Sequence, residues 1–77
     1  MTSTRRLAIL SQAGTSGGVV VGYRGLTHHE AATALCGLVE RHTRISCEPN
    51  GMQRMVIRYH LTDEGRRYLD VMLGGAA

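Results

Sequence analysis

RRLAILSQA, residues 5–13, is the stretch on which the reading of the fold divides. By propensity it is a short helix: Ser3 or Thr4 stands ready as a cap, most of its residues are good helix formers, and Gly14 follows as a stop. By comparison with the second half of the chain it is a strand. Ile9, Ser11, Val20, Val21 and Tyr23 align without a gap, at an offset of 36, with Ile45, Cys47, Val56, Ile57 and Tyr59, and Gly14-Thr15 then falls on Asn50-Gly51. Gly25 is one extra residue. Beyond it the offset becomes 35 and sets Leu26-Thr27 on Leu61-Thr62, Ala34 on Leu69 and Leu38 on Leu73. Internal similarity bears on the whole fold, and it predicts a strand over residues 6–12 and a strand-strand-helix unit used twice.

The second copy, residues 43–73, carries the stronger local signals. In Glu48-Pro49-Asn50-Gly51 the proline presets the first turn dihedral, asparagine tolerates the second, and glycine accepts the left-handed conformation that follows. A three-residue loop there sets Glu48 opposite Met52 and pairs Cys47 with Gln53, Ile45 with Met55 and Thr43 with Ile57. Alternation then gives one face to Ile45, Cys47, Met55, Ile57, Tyr59 and Leu61, and the other to Arg44, Ser46, Glu48, Arg54, Val56, Arg58 and His60. The first face is nearly all apolar, so turn chemistry and periodicity agree.

Two helix starts are legible. Thr27 and Glu30 have capping-box spacing, with Leu26 and Ala31 placed as a hydrophobic staple. The helix is expected to run to about His42, with Ala31, Ala34, Leu35, Leu38 and Val39 as its apolar face and His29, Thr33, Glu40 and Arg41 toward water. Within it Gly37 costs about 1 kcal/mol relative to alanine. Thr62 caps the last helix, Asp63 and Glu64 lie at the positive end of its dipole, and Tyr68, Leu69, Met72 and Leu73 form the predicted buried stripe. Gly74-Gly75 is expected to end it. Gly14–Gly18 reads as the hairpin connection of the first copy, because it runs into the β-branched Val19–Val21 and not into the helix that a phosphate-binding loop requires. Met1–Thr4 and the last alanines are expected to be flexible.

The expected architecture is therefore a single small α+β domain, residues 1–77, of order ββαββα. Residues 5–42 form the first unit and 43–73 the second, giving a four-stranded, mainly antiparallel sheet with two helices on one face. At this size a single core supplies only about 3–5 kcal/mol, which keeps self-association open. All nine basic residues are arginine, against six carboxylates, for a formal charge of +3. No run is apolar enough to span a membrane. With no signal peptide ahead of them, Cys36 and Cys47 are expected to be reduced thiols in a cytoplasmic protein, Cys36 packed against the apolar stripe. The four histidines and two cysteines lack paired zinc spacing, and the carboxylates are scattered. No cofactor, metal or catalytic role is expected.

Tyr59-His60-Leu61-Thr62-Asp63-Glu64-Gly65-Arg66-Arg67-Tyr68-Leu69 resembles the end of a winged-helix DNA-binding domain, where a wing strand passes into L-T-x-x-G-x-x-x-L at the closing helix. Extended backwards over residues 27–73, the resemblance implies a recognition helix at 27–42 and a wing hairpin at 43–61. It gives αβαββα as the alternative order and DNA binding as the implied activity. In the repeat reading, the sheet face away from the helices bears Arg6, Arg24, Arg44, Arg54, Arg58 and His60. These are the candidate nucleic-acid contacts, since guanidinium groups suit phosphate. The second reading is a self-association or protein-interaction module in which Leu10, Val20 and Val56 mark the contact.

Overall fold

The computed structural model describes residues 1–74. Its elements run helix α1 (Ser3–Ala13), a 3-10 turn (Tyr23–Gly25), helix α2 (His28–Thr33), strand β1 (Val39–Cys47), strand β2 (Gln53–Leu61) and helix α3 (Asp63–Met72). The strands form a single two-stranded antiparallel sheet. This overturns the expected four-stranded sheet and the twice-used ββα unit. Residues 6–12 are helical, and of residues 19–23 only Val19 pairs with the sheet, through an isolated bridge to Tyr59.

The reason lies in which side chains are buried together. Ile9, Leu10 and Ala13 are all core residues. Neighbours such as Ile9 and Leu10 would face opposite sides of a strand, whereas residues i, i+1 and i+4 share one arc of a helix. The cap is Thr2, ahead of both Ser3 and Thr4; its Oγ1 accepts from the Arg5 amide at 3.2 Å. Ser3 and Thr4, expected to be loose, lie within α1. Gly14 closes the helix with its amide on the Leu10 carbonyl, so Gly14–Gly18 links a helix to a bridge and not two strands.

Around α2 the capping box forms as read: the Glu30 amide donates to Thr27 Oγ1 at 3.1 Å and the Thr27 amide to Glu30 Oε1 at 3.2 Å. The helix, however, ends at Thr33 and turns through residues 34–38, nine residues short of the expected His42. Gly37 has φ +78°, a left-handed conformation that ends helices. The turn is then held from across the molecule. Thr62 Oγ1 donates to the Gly37 carbonyl at 2.6 Å, and the Thr62 amide donates to the Leu38 carbonyl at 3.0 Å. Cys36, expected to be packed, is exposed on this turn.

Thr62 also caps α3 by accepting from the Gly65 amide. A Cβ on Gly65 would collide with the Leu38 carbonyl and come within 2.8 Å of Leu61 Cδ1. In the L-T-x-x-G run, then, the glycine is the point where the helix backbone meets the turn that follows α2.

The hairpin register is the one the turn chemistry implies: Cys47 pairs with Gln53, Ile45 with Met55 and Thr43 with Ile57. The Glu48 amide reaches the Met52 carbonyl, and Asn50 Oδ1 accepts from the Met52 amide at 3.0 Å. Burial along the hairpin is uneven. Ile9, Leu10, Ala13, Val19, Leu26, Ala31, Leu35, Tyr59 and Leu69 form the core, joined from the hairpin only by Val39, Ile57 and Leu61. Ile45, Cys47 and Met55, expected under a helix, are exposed, and so are Met72 and Leu73 of the predicted α3 stripe. The three short helices do not reach the outer half of strands about 30 Å long. The molecule accordingly measures 51 × 22 × 17 Å, with a radius of gyration of 13.9 Å against about 11.5 Å for a compact chain of this length. α3 ends at Met72, and Gly74 follows it with φ +70°, as the Gly74-Gly75 stop implies; Gly75 and the last alanines lie outside the described residues.

Candidate functional site

Alternation along the paired strands places Glu40, His42, Arg44 and Ser46 on one face of the hairpin, opposite His60, Arg58, Val56 and Arg54. Arg44, Arg54, Arg58 and His60, four of the six candidate contacts, thus share a face. At its inner end the face becomes a cleft of about 520 Å³, lined by Ser16, Gly17, His42, Thr43, Arg44, Val56, Arg58 and His60. The floor is sheet and the wall is the glycine-rich loop. Two backbone bonds between Val19 and Tyr59, at 2.9 and 2.8 Å, fix that loop to β2, and Arg58 Nη1 donates to the Gly17 carbonyl at 3.1 Å.

The remaining groups on the face differ in how far they are engaged. The His42 and His60 rings lie 4.5 Å apart at 44°, and His42 Nε2 is 3.1 Å from Glu40 Oε1. Arg54 is 3.6 Å from Glu48 in an exposed pair, a geometry that contributes little in water. Arg44 makes no ion pair or side-chain hydrogen bond among the described residues. Residues 39–61 hold four arginines and two glutamates. A second cleft, of about 620 Å³, lies at the start of α3 and has the opposite character: Glu40, Asp63 and Glu64 line it with a single arginine, Arg67. Charge is segregated along the molecule, positive on the hairpin and negative where it joins α3.

Arg6 and Arg24 do not join the group. Arg6 projects from α1 toward α3, half-buried, with Nη1 donating to the Tyr68 hydroxyl at 3.2 Å and Nε enclosed without a partner. Helical periodicity sets that direction, where strand parity had put the residue on a sheet face. Arg24 sits in the 3-10 turn with φ +48°, its guanidinium 5.8 Å from the centre of the Tyr23 ring. Its carbonyl accepts from Arg5 Nε at 2.7 Å. Arg5 in turn grips both oxygens of Glu30, at 2.6 and 2.8 Å, and this bidentate bond holds the Glu30 carboxyl well below its usual range, at about 2. Arg5 thus ties α1 to the turn and to α2, and Arg6 ties α1 to α3.

Sequence reasoning missed His42, which it placed at the end of a helix. Carrying the strand alternation back two residues from Arg44 would have found it. Among the described residues no three His, Cys, Asp or Glu side chains gather as a metal site, and no helix is long and apolar enough to cross a membrane.

No family model matches the chain, and neither a curated protein nor a solved structure matches it.

Proposed function

We propose that this chain is a non-enzymatic nucleic-acid-binding module that lays the polar face of its hairpin along the phosphate backbone of a duplex. The observation that carries the reading is the register: it gathers Arg44, Arg54 and Arg58, with His42 and His60, on one face of a ribbon that projects from the core. Guanidinium groups spaced along a narrow ribbon suit phosphate oxygens spaced along a strand. Duplex is favoured over single strands because the face offers no phenol or indole platform for unstacked bases; Tyr59 is turned into the core. The resemblance of residues 27–73 to winged-helix domains points the same way. It assigns the main contact to the helix, whereas here α2 has six residues and the tip of the hairpin is the more prominent element.

Binding to duplex and single-stranded DNA over a salt series tests the proposal. Duplex affinity should fall steeply with salt, and replacing Arg44, Arg54 and Arg58 together by glutamine should flatten the log–log slope by about 3, close to one for each phosphate no longer neutralised. Absence of duplex binding at low salt, or a slope untouched by the triple substitution, would overturn the reading.

A further inference from the structure

We propose that the other face of the hairpin's outer half is the contact surface for a second copy of this chain. Ile45 and Met55 stand opposite each other on that face, 64% and 61% exposed. Thr43–Ile57 flanks them on one side and Cys47–Gln53 on the other. From residues 43 to 47 and 53 to 57 the face carries no charged side chain, although the chain as a whole is +3. A phosphate backbone has nothing to pair with there. An occupant must be as apolar and as neutral as the face itself, and a two-fold related copy meets that condition automatically, because the same patch serves both sides.

The surface area agrees. The chain exposes 5262 Å², whereas a compact monomer of 8.4 kDa exposes about 4,600 Å². The excess, about 650 Å², reflects the projecting ribbon, and covering one of its faces would remove part of it; a stable interface takes roughly 800 Å² from each partner. A two-stranded ribbon wet on both faces is marginal in water, and stacking two such ribbons about 10 Å apart gives each a dry face. That stacking turns Arg44, Arg54 and Arg58 of each copy outward, away from one another, and leaves Arg41, opposite Tyr59, as the one arginine on the stacking face, inward of the Thr43–Ile57 pair. The surface predicted from the sequence, at Leu10, Val20 and Val56, is replaced: Leu10 lies in the core and Val56 on the polar face.

Sedimentation equilibrium of the full chain, from micromolar to millimolar concentration, tests the surface without reference to nucleic acid. The apparent mass should rise from one chain to two, and Ile45→Lys with Met55→Lys should hold it at one across the range. Arg44→Gln with Arg58→Gln, on the opposite face, should still dimerise. Ile45→Thr, a milder change at an exposed site, should weaken association while leaving the circular dichroism spectrum unchanged, which separates a failure to associate from a failure to fold. Amide exchange in residues 44–47 and 53–56 should slow as concentration rises. A chain that stays monomeric, or a dimer that survives the lysine pair, would overturn the proposal.

Discussion

From Ile57 to Leu61, with Val39 opposite Leu61, the hairpin is a wall of the core, while its outer half has water on both faces. Register is continuous through both halves, and so is the alternation of side-chain direction along β2. The inner half packs Val39, Ile57, Tyr59 and Leu61 against the helices; the outer half leaves Ile45 and Met55 uncovered. Alternation therefore specifies which way a side chain points, but whether anything meets it depends on how far the helices extend. The two halves should answer perturbation very differently.

Tyr59→Ala should have the largest effect. It removes a buried ring from the inner half and the 2.8 Å hydrogen bond between its hydroxyl and His28 Nδ1, at a cost of about 3–5 kcal/mol in denaturant unfolding. Met55→Ala in the outer half, measured in dilute solution, should stay within about 0.5 kcal/mol. Equal losses at both sites would erase the distinction.

Gly65→Ala comes next. Alanine is favoured over glycine within a helix by about 1 kcal/mol, yet a methyl here strikes the Leu38 carbonyl at the inner end of the hairpin. The net result should be destabilisation of about 2–3 kcal/mol, in the range of core overpacking. Gly14→Ala is the control: its nearest neighbour is Leu61 Cδ2 at an ordinary 3.4 Å. That variant should unfold no earlier than the parent chain.

The smallest effect sharpens the contrast through two ion pairs. Glu30 is half-buried in the body and bidentate to Arg5; Glu48 is exposed at the tip beside Arg54. Because the folded state lowers the pKa of Glu30 from 4.5 to about 2, its contribution is fully present above pH 4.5 and is lost as pH falls through that window. Melting temperature should therefore decline on acidification from pH 5 to pH 2, and Glu30→Gln should flatten that part of the curve. Glu48→Gln, which removes only the exposed pair at the tip, should change stability by less than about 0.5 kcal/mol in denaturant unfolding at pH 7.

How much of this was legible in the sequence follows from how local each signal is. Pro49-Asn50-Gly51 sets a register within five residues, and the register reads correctly over the whole hairpin. Thr27-x-x-Glu30 is equally local and caps α2 as its spacing implies. The start of β1 is not local: Leu38 and Val39 continue a helical stripe in sequence, and the turn that separates them from α2 is held by Thr62, 25 residues away from Gly37. RRLAILSQA carried the right propensity, but sparse identities with the hairpin pointed to a strand; the joint burial of Ile9, Leu10 and Ala13 on one helical arc is seen only in the folded chain. Arg6 and Arg24 were placed by strand parity and left the candidate site when the strands did. Arg44, Arg54, Arg58 and His60 kept their shared face because the turn fixes it.

The Pro-Asn-Gly loop also bears on the order of folding. Its closure brings Glu48 to Met52, four residues apart, and hairpins of this kind zip in about 1–10 μs. Joining α1 to α3 is a different event: the bond from Arg6 to Tyr68 spans 62 residues, and the entropy of closing so long a loop must be met before the packing of Ile9, Leu10 and Leu69 repays it. On these timescales the ribbon is expected to pair and fray many times before the ends of the chain come together, with that last encounter setting the rate of folding.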